Sequence, residues 1–227
     1  MQIVPSDFKT KKIIPVSERT PDYQYQERLK LILEEGVQVK SQTGTDTISY
    51  VGLPPMRFLL NNGFPMITER NMAPNLKTMP TIWKQAISEI IAFINGVRTQ
   101  DKLEEFGVTW WSSWVTEAKC HKRGLETGDM GPGSYGAAFH DFPTSEGKPY
   151  NQFQNIIEQI RELPHLKTHL ISPWIPQYTI RGKGKQQKVV VCPCHGWVHV
   201  LIQNGKLSLH MFQRSGDLPI GVPSNMV

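Results

Sequence analysis

Two short runs in the last third of the sequence hold residue types that do chemistry together. The first is Cys192-Pro193-Cys194-His195. The second is Gln213-Arg214-Ser215-Gly216-Asp217, continued by Gly221-Val222-Pro223-Ser224-Asn225. A thiolate is the attacking form of cysteine, and an arginine beside it stabilises that form. Serine and asparagine nearby add groups that read an anion and an amide edge. A single cysteine in an apolar run is ordinarily a small hydrophobe, and Cys192, just before a proline, reads that way. Asp217, Arg214 and Ser215 could equally be a loop ion pair if taken one at a time. Together, in this order, the two runs read as a nucleophile, Cys194, with anion and amide recognition around it.

The elements between the runs must bring them side by side. Gln203-Asn204-Gly205-Lys206 is a strong hairpin turn, because Asn-Gly tolerates the positive φ of a type I′ turn. Strand-like Trp197–Ile202 and Leu207–Phe212 flank it, so thiol and arginine are expected at one end of a hairpin. Val189–Val191 and His169–Trp174 also read as strands, the latter buried. Upstream, a helix is expected from about Tyr23 to Glu35, where Tyr25, Leu29, Ile32 and Leu33 recur at helical spacing and Gly36 stops it. Turn and strand follow over Thr43–Gly52. Met56–Leu60 reads as a strand closed by Asn61-Asn62-Gly63. A second helix spans about Pro80–Ile94, with Trp83, Ala86, Ile87, Ile90 and Ile94 as its apolar stripe and Gly96 at its end. Glu89 falls at the edge of that stripe. Residues 118–149 read as loop. A third helix covers about Asn151–Leu163, with Phe153, Ile156, Ile157 and Ile160 inside. Helices and hairpins are interspersed, so the expected class is α+β with a mixed or antiparallel sheet packed against helices.

Composition narrows the class further. The 227 residues are 39% hydrophobic, which suits one domain with a sizeable core after an N-terminal arm over residues 1–21. Three cysteines, Cys120, Cys192 and Cys194, argue against a disulfide framework and for a reducing, cytoplasmic setting. The start, MQIVPSDFKTKK, lacks the apolar run of a signal peptide, and no stretch approaches a membrane span. The net charge of +5 suits anionic partners, whether nucleic acid, nucleotides or polyglutamylated cofactors, or a mildly basic surface of no specific meaning; charge alone does not separate these. The basic run Arg181–Lys188 reads as a solvated hairpin tip; it lacks the Ser or Thr that completes a phosphate-binding P-loop.

The sequence Pro193-Cys194-His195, then QRSGDLPIGVPSN, resembles the signature of thymidylate synthases and the related pyrimidine nucleotide hydroxymethylases. Thr43-Gly44-Thr45, Met56-Arg57-Phe58, Gly63-Phe64-Pro65, Glu89, Trp111 with Trp114, and Gly131-Pro132 with Tyr135-Gly136 fall in family order, over residues 23–227. The resemblance implies that Cys194 adds to C6 of a pyrimidine nucleotide, making C5 able to attack 5,10-methylenetetrahydrofolate. It implies Arg214 and Ser215 on the nucleotide phosphate, and Glu89 as general acid/base. Tyr135 and His195 fall to proton transfer and Asn225 to the uracil edge. Asp217, Gly221, Trp111 and Trp114 would contact the folate, and the chain would form a homodimer. Neither membrane nor nucleic acid is an expected partner.

The sequence also departs from the pattern. Gln42 stands where the family carries an arginine before its TGTGT loop, and Lys167-Thr168 stands where it carries an arginine pair. A charged hydrogen bond is worth roughly 1.5–3 kcal/mol, so the replacement should show in nucleotide affinity unless Lys40, Lys167, His169 or the basic run substitutes; the alternative is that the anionic group binds differently. Ser224 replaces the usual phenylalanine. The family's further core helix and closing tail would lie beyond Val227. The expected reaction is methylation of dUMP to dTMP with release of dihydrofolate. The alternative within the family is 5-hydroxymethylation of dUMP, dCMP or CMP, in which water captures the carbon. Asparagine rather than aspartate at 225 favours uracil, because an amide offers both donor and acceptor. Outside that class stand an inactive nucleotide-binding paralogue and a zinc module using Cys120, His121, Cys192, Cys194 and His195, whose spacing fits no standard structural zinc site.

Overall fold

The computed structural model describes residues 13–40, 44–68, 71–72 and 81–226. The fold is α+β. The described residues divide into two compact units, one of residues 81–216 and one of residues 13–72 with 217–226.

In the larger unit, helix α2 (Ile82–Ile94) follows α1 (Gln24–Glu35) of the smaller unit in chain order. Its buried face is Gln85, Ala86, Ala92 and Phe93, while Ile87 and Ile90 are exposed. The expected stripe is therefore rotated, and Glu89 lies in the middle of the buried face instead of at its edge. Gly96, with φ of 80°, ends the helix as expected. Short helices α3 (Gln100–Glu105), α4 (Glu117–His121) and α5 (Tyr135–His140) follow, so residues 118–149 hold two helices where loop was expected. Every residue of α5 except His140 is buried. A Cβ on Gly136 would stand 2.0 Å from the Val97 carbonyl oxygen, so only glycine lets α5 approach this closely. That approach carries Tyr135 into the core beside Phe93 and Phe139.

Helix α6 (Gln152–Glu162) starts at Asn151, whose side chain accepts from the Gln154 N–H. Ile156 is buried and Phe153 and Ile160 pack on the core, but Ile157 is exposed. The sheet is antiparallel, in the order β3 (Leu170–Ile171), β4 (Trp197–Gln203) and β5 (Lys206–Phe212), with the short helix α7 (Pro176–Thr179) between β3 and β4 in the chain. Asn204 and Gly205 have φ of 52° and 68°, the positive pair that a type I′ turn needs. The register pairs Trp197 with Phe212. β3 is shorter than expected because the Gln152 amide takes both the N–H and the carbonyl of Ser172, and Pro173 has no N–H to donate. Val189–Val191 forms no strand. Val190 N–H bonds the Met130 carbonyl, and Lys188 exchanges bonds with Tyr178 and Gly133. In the basic run, Gly182 and Lys185 form a small isolated bridge.

The smaller unit contains α1, a two-stranded antiparallel sheet of β1 (Val37–Val39) and β2 (Thr47–Ser49), and the short helix α8 (Gly221–Asn225). Residues 56–59 are not a strand. The Gln24 amide takes the N–H and the carbonyl of Arg57, and Arg28 bonds the carbonyls of Pro54 and Pro55. These bonds occupy backbone groups that a neighbouring strand would need. No described helix is long and apolar enough to cross a membrane.

Candidate active site

The hairpin delivers what the two sequence runs promised. Trp197 pairs with Phe212 at the open end of the hairpin, and just beyond it the Arg214 N–H bonds the Cys194 carbonyl at 2.9 Å. The side chain folds back on the same segment. Nε donates to the Pro193 carbonyl at 2.8 Å and Nη2 to the Cys192 carbonyl at 3.2 Å. Nη2 also lies 3.5 Å from the Cys194 sulfur. Nη1 has no partner among the described residues, so a cationic edge with two N–H groups stays open for an anion. Ser215 is exposed next to it.

Tyr135 holds the other side of Cys194. Its buried oxygen accepts the Cys194 N–H at 2.7 Å and the His195 N–H at 3.3 Å. A hydroxyl has two lone pairs and one hydrogen, so the hydrogen remains for a third partner. Burial pushes the phenol well above its ordinary range, so Tyr135 stays neutral. The His195 ring stacks on Tyr135 at 4.8 Å. Burial lowers His195 to about 4, so it is a neutral imidazole at physiological pH. Cys192 is half-buried, its sulfur engaged by Gln187 and facing the Thr179 carbonyl. Burial raises its thiol, although Arg214 pulls the other way.

An aromatic chain connects this group to Glu89. Tyr135 stacks on Phe93 at 5.2 Å, and Phe93 meets the edge of Trp111 at 6.0 Å. The indole N–H groups of Trp110 and Trp111 both donate to Oε2 of Glu89. Burial pushes the Glu89 carboxyl up to about 7, and the two indole bonds pull the other way. Its Oε1 has no partner among the described residues. A carboxyl poised near neutrality can give or take a proton at working pH.

The thymidylate synthase family model matches residues 23–227 of this sequence. The chain belongs to the thymidylate synthase family. It is similar to the crystal structure of thymidylate synthase from T4 phage, with 29% identity and a TM-score of 0.72. The match covers 90% of this chain and 66% of that one, so the present chain spans a little under two thirds of that synthase.

Against the family pattern, the larger unit brings together Cys194, His195, Tyr135, Arg214, Glu89 and Trp111. Trp114 behaves otherwise. It is 46% exposed and lies under the Lys119 ammonium at 4.7 Å. Lys167 is exposed, and its carbonyl is engaged by His199. His169 is fully buried against Gln159, which removes it as a substitute for the family's phosphate arginines. Gln42 lies outside the described residues. Asp217, Gly221 and Asn225 belong to the smaller unit. There the Asp217 carbonyl accepts from Gly221 and Val222, and its Oδ1 caps the Ile220 N–H at 3.0 Å. Asn225 is half-buried in α8. Sequence reasoning missed Trp110 as the second donor to Glu89; the adjacent tryptophans 110 and 111 were the available signal. Among the described residues no three His, Cys, Asp or Glu are grouped to hold a metal ion, and Cys120 is buried against the Asp129 carbonyl.

Proposed function

We propose that this protein transfers a one-carbon unit from 5,10-methylenetetrahydrofolate to C5 of dUMP, giving dTMP and dihydrofolate. The observation that carries the reading is the clamp on Cys194. Arg214 touches its sulfur, Tyr135 fixes its N–H, and Arg214 keeps one cationic edge open. In this reading the Cys194 sulfur bonds to C6, and the electron pair of the C5–C6 double bond moves through C5 to O4. Arg214 and Ser215 receive the phosphate, with Gln42 and Lys167 in place of the family's arginines. Asn225 reads O4 and N3. After C5 has bonded to the methylene carbon, a base takes the C5 proton as the carbon–nitrogen bond to the folate breaks, leaving an exocyclic methylene on C5; a hydride then adds to that methylene and the sulfur leaves C6, restoring the C5–C6 double bond. Glu89 handles protons at the O4 side, and the neutral pair Tyr135 and His195 relays the C5 proton.

The flat, half-buried rings of Trp110 and Trp111, with the free Oε1 of Glu89, suit a planar heterocycle bearing N–H donors. The Oδ2 of Asp217, which has no partner among the described residues, with Gly221 nearby in sequence, suits another such donor. The folate supplies the carbon and, for methylation, the hydride. We place the protein in the cytoplasm as a homodimer, in keeping with its three free cysteines and its family.

The second reading is 5-hydroxymethylation. Its support is the exposure of Trp114, which leaves one expected wall of the folate site open to water. Incubation with methylenetetrahydrofolate and dUMP, dCMP or CMP, followed by mass spectrometry, separates the readings. A methyl product from dUMP supports the synthase, and a hydroxymethyl product moves the protein to the hydroxymethylases. No product from any nucleotide overturns the enzyme reading for this chain.

A further inference from the structure

An arginine that works beside a sulfur must be held there, and Arg214 is an exposed, long side chain. Its two carbonyl partners, Pro193 and Cys192, fix donors lying in the plane of the guanidinium. They do not stop the plane from swinging about that edge. What meets the flat face is the ring of Trp174, with the guanidinium carbon 5.3 Å from the ring centre. Trp174 is itself backed by other rings. Trp197 stacks on it at 6.0 Å and 28°, and Phe212 closes on Trp197 edge-on at 5.7 Å.

The three rings come from the ends of three neighbouring strands. Trp174 follows β3, where its N–H bonds the Ser172 hydroxyl at 3.3 Å and the preceding Pro173 is fully buried. Trp197 opens β4 and Phe212 closes β5, as a cross-strand pair. The column is therefore built into the sheet, whereas Arg214 lies two residues past its edge. A cation over a tryptophan face is attracted by the ring quadrupole, and tryptophan is the best such partner.

We propose that Trp174, backed by Trp197, is a positioning residue that holds the Arg214 guanidinium against the Cys194 sulfur. The inference rests on the reading that Cys194 is the attacking group, but not on which nucleotide it attacks. Trp174 touches the arginine and acts on the sulfur only through it.

The test reads the charge beside Cys194 without any nucleotide. Cys194 is alkylated with iodoacetate, an anion, and with iodoacetamide, its neutral analogue, and site-resolved mass spectrometry gives the two rates. A guanidinium held at the sulfur favours the anionic reagent. In Trp174→Leu the iodoacetate-to-iodoacetamide ratio at Cys194 should fall about fivefold towards the Arg214→Ala value, and Trp174→Phe should restore most of it. An unchanged ratio in a folded Trp174→Leu protein overturns the proposal. Should that variant not fold, Arg214→Ala leaves the column intact. It must then shift the indole N–H resonance of Trp174 more than those of Trp110, Trp111 and Trp114; an unmoved Trp174 signal overturns the proposal equally. Failure of the one-carbon reading appears separately, as wild-type protein that keeps the high ratio yet turns over no nucleotide.

Discussion

Replacing Glu89 with glutamine should change the pH dependence of stability before it changes anything else about the fold. The carboxyl is held under Trp110 and Trp111, and burial raises it from 4.5 to about 7. Because the folded state binds this proton more tightly than the unfolded chain, the unfolded chain loses it first as pH rises. Stability from this group is therefore fully present below pH 4.5, falls between 4.5 and 7, and stays low above 7. Each tenfold change in proton affinity is worth roughly 1.4 kcal/mol, so the ionised carboxylate costs the folded protein about 3 kcal/mol at about pH 8. Glutamine keeps an acceptor for the two indoles and cannot ionise. Urea melts of both proteins at about pH 4 and about pH 8 isolate the effect, because all other groups cancel in the difference. The variant should gain about 3 kcal/mol on the wild type at the higher pH relative to the lower. A difference that is the same at both pH values would refute the claim that Glu89 is a buried acid destabilised by its own charge. If that claim holds, the same variant should also lose most of its turnover, since it can no longer exchange a proton.

Cys194→Ser should abolish product formation while Cys192→Ala retains it, in the mass-spectrometric assay with dUMP; equal losses would show that the two thiols are not distinguished by their surroundings. Tyr135→Phe removes the acceptor of two backbone N–H groups and should lower stability by about 1–3 kcal/mol, together with turnover. Denaturant melts check the first effect, and a melt like the wild type's would mean that water replaces the hydroxyl. Gln42→Arg should lower the KM for dUMP about tenfold, by restoring a charged phosphate contact; steady-state kinetics decide, and an unchanged KM would mean that another group already holds the phosphate.

How much of this was legible beforehand depended on whether the signal was local. The hairpin was readable because Asn204-Gly205 is a local turn signal, and a two-residue turn between strand-like flanks sets the register. That hairpin brought Arg214 and Cys194 to the same end, and the Arg214 N–H bond to the Cys194 carbonyl joins them just beyond the paired strands. The helix over Gln24–Glu35 was readable for the same reason. The strands at 56–60 and 189–191 were misread because their backbone partners are remote. Gln24 takes the backbone of Arg57, and Met130 takes that of Val190. The face of α2 was misjudged because isoleucine hydrophobicity says nothing about which side meets a neighbour. The unit buries Gln85 and half-buries Glu89, and leaves Ile87 and Ile90 outside.

The sequence by itself therefore determined the family and the placing of Cys194 and Arg214 at one end of a hairpin, since these are ordered motifs joined by a turn whose geometry is chemical. Only the tertiary structure decided the proton chemistry and the support. Tyr135 reaches the Cys194 N–H from 59 residues away, Trp110 and Trp111 converge on one oxygen of Glu89, and Trp174 meets the face of Arg214. Burial and long-range packing set those contacts, and neither is encoded in the spacing of any one segment.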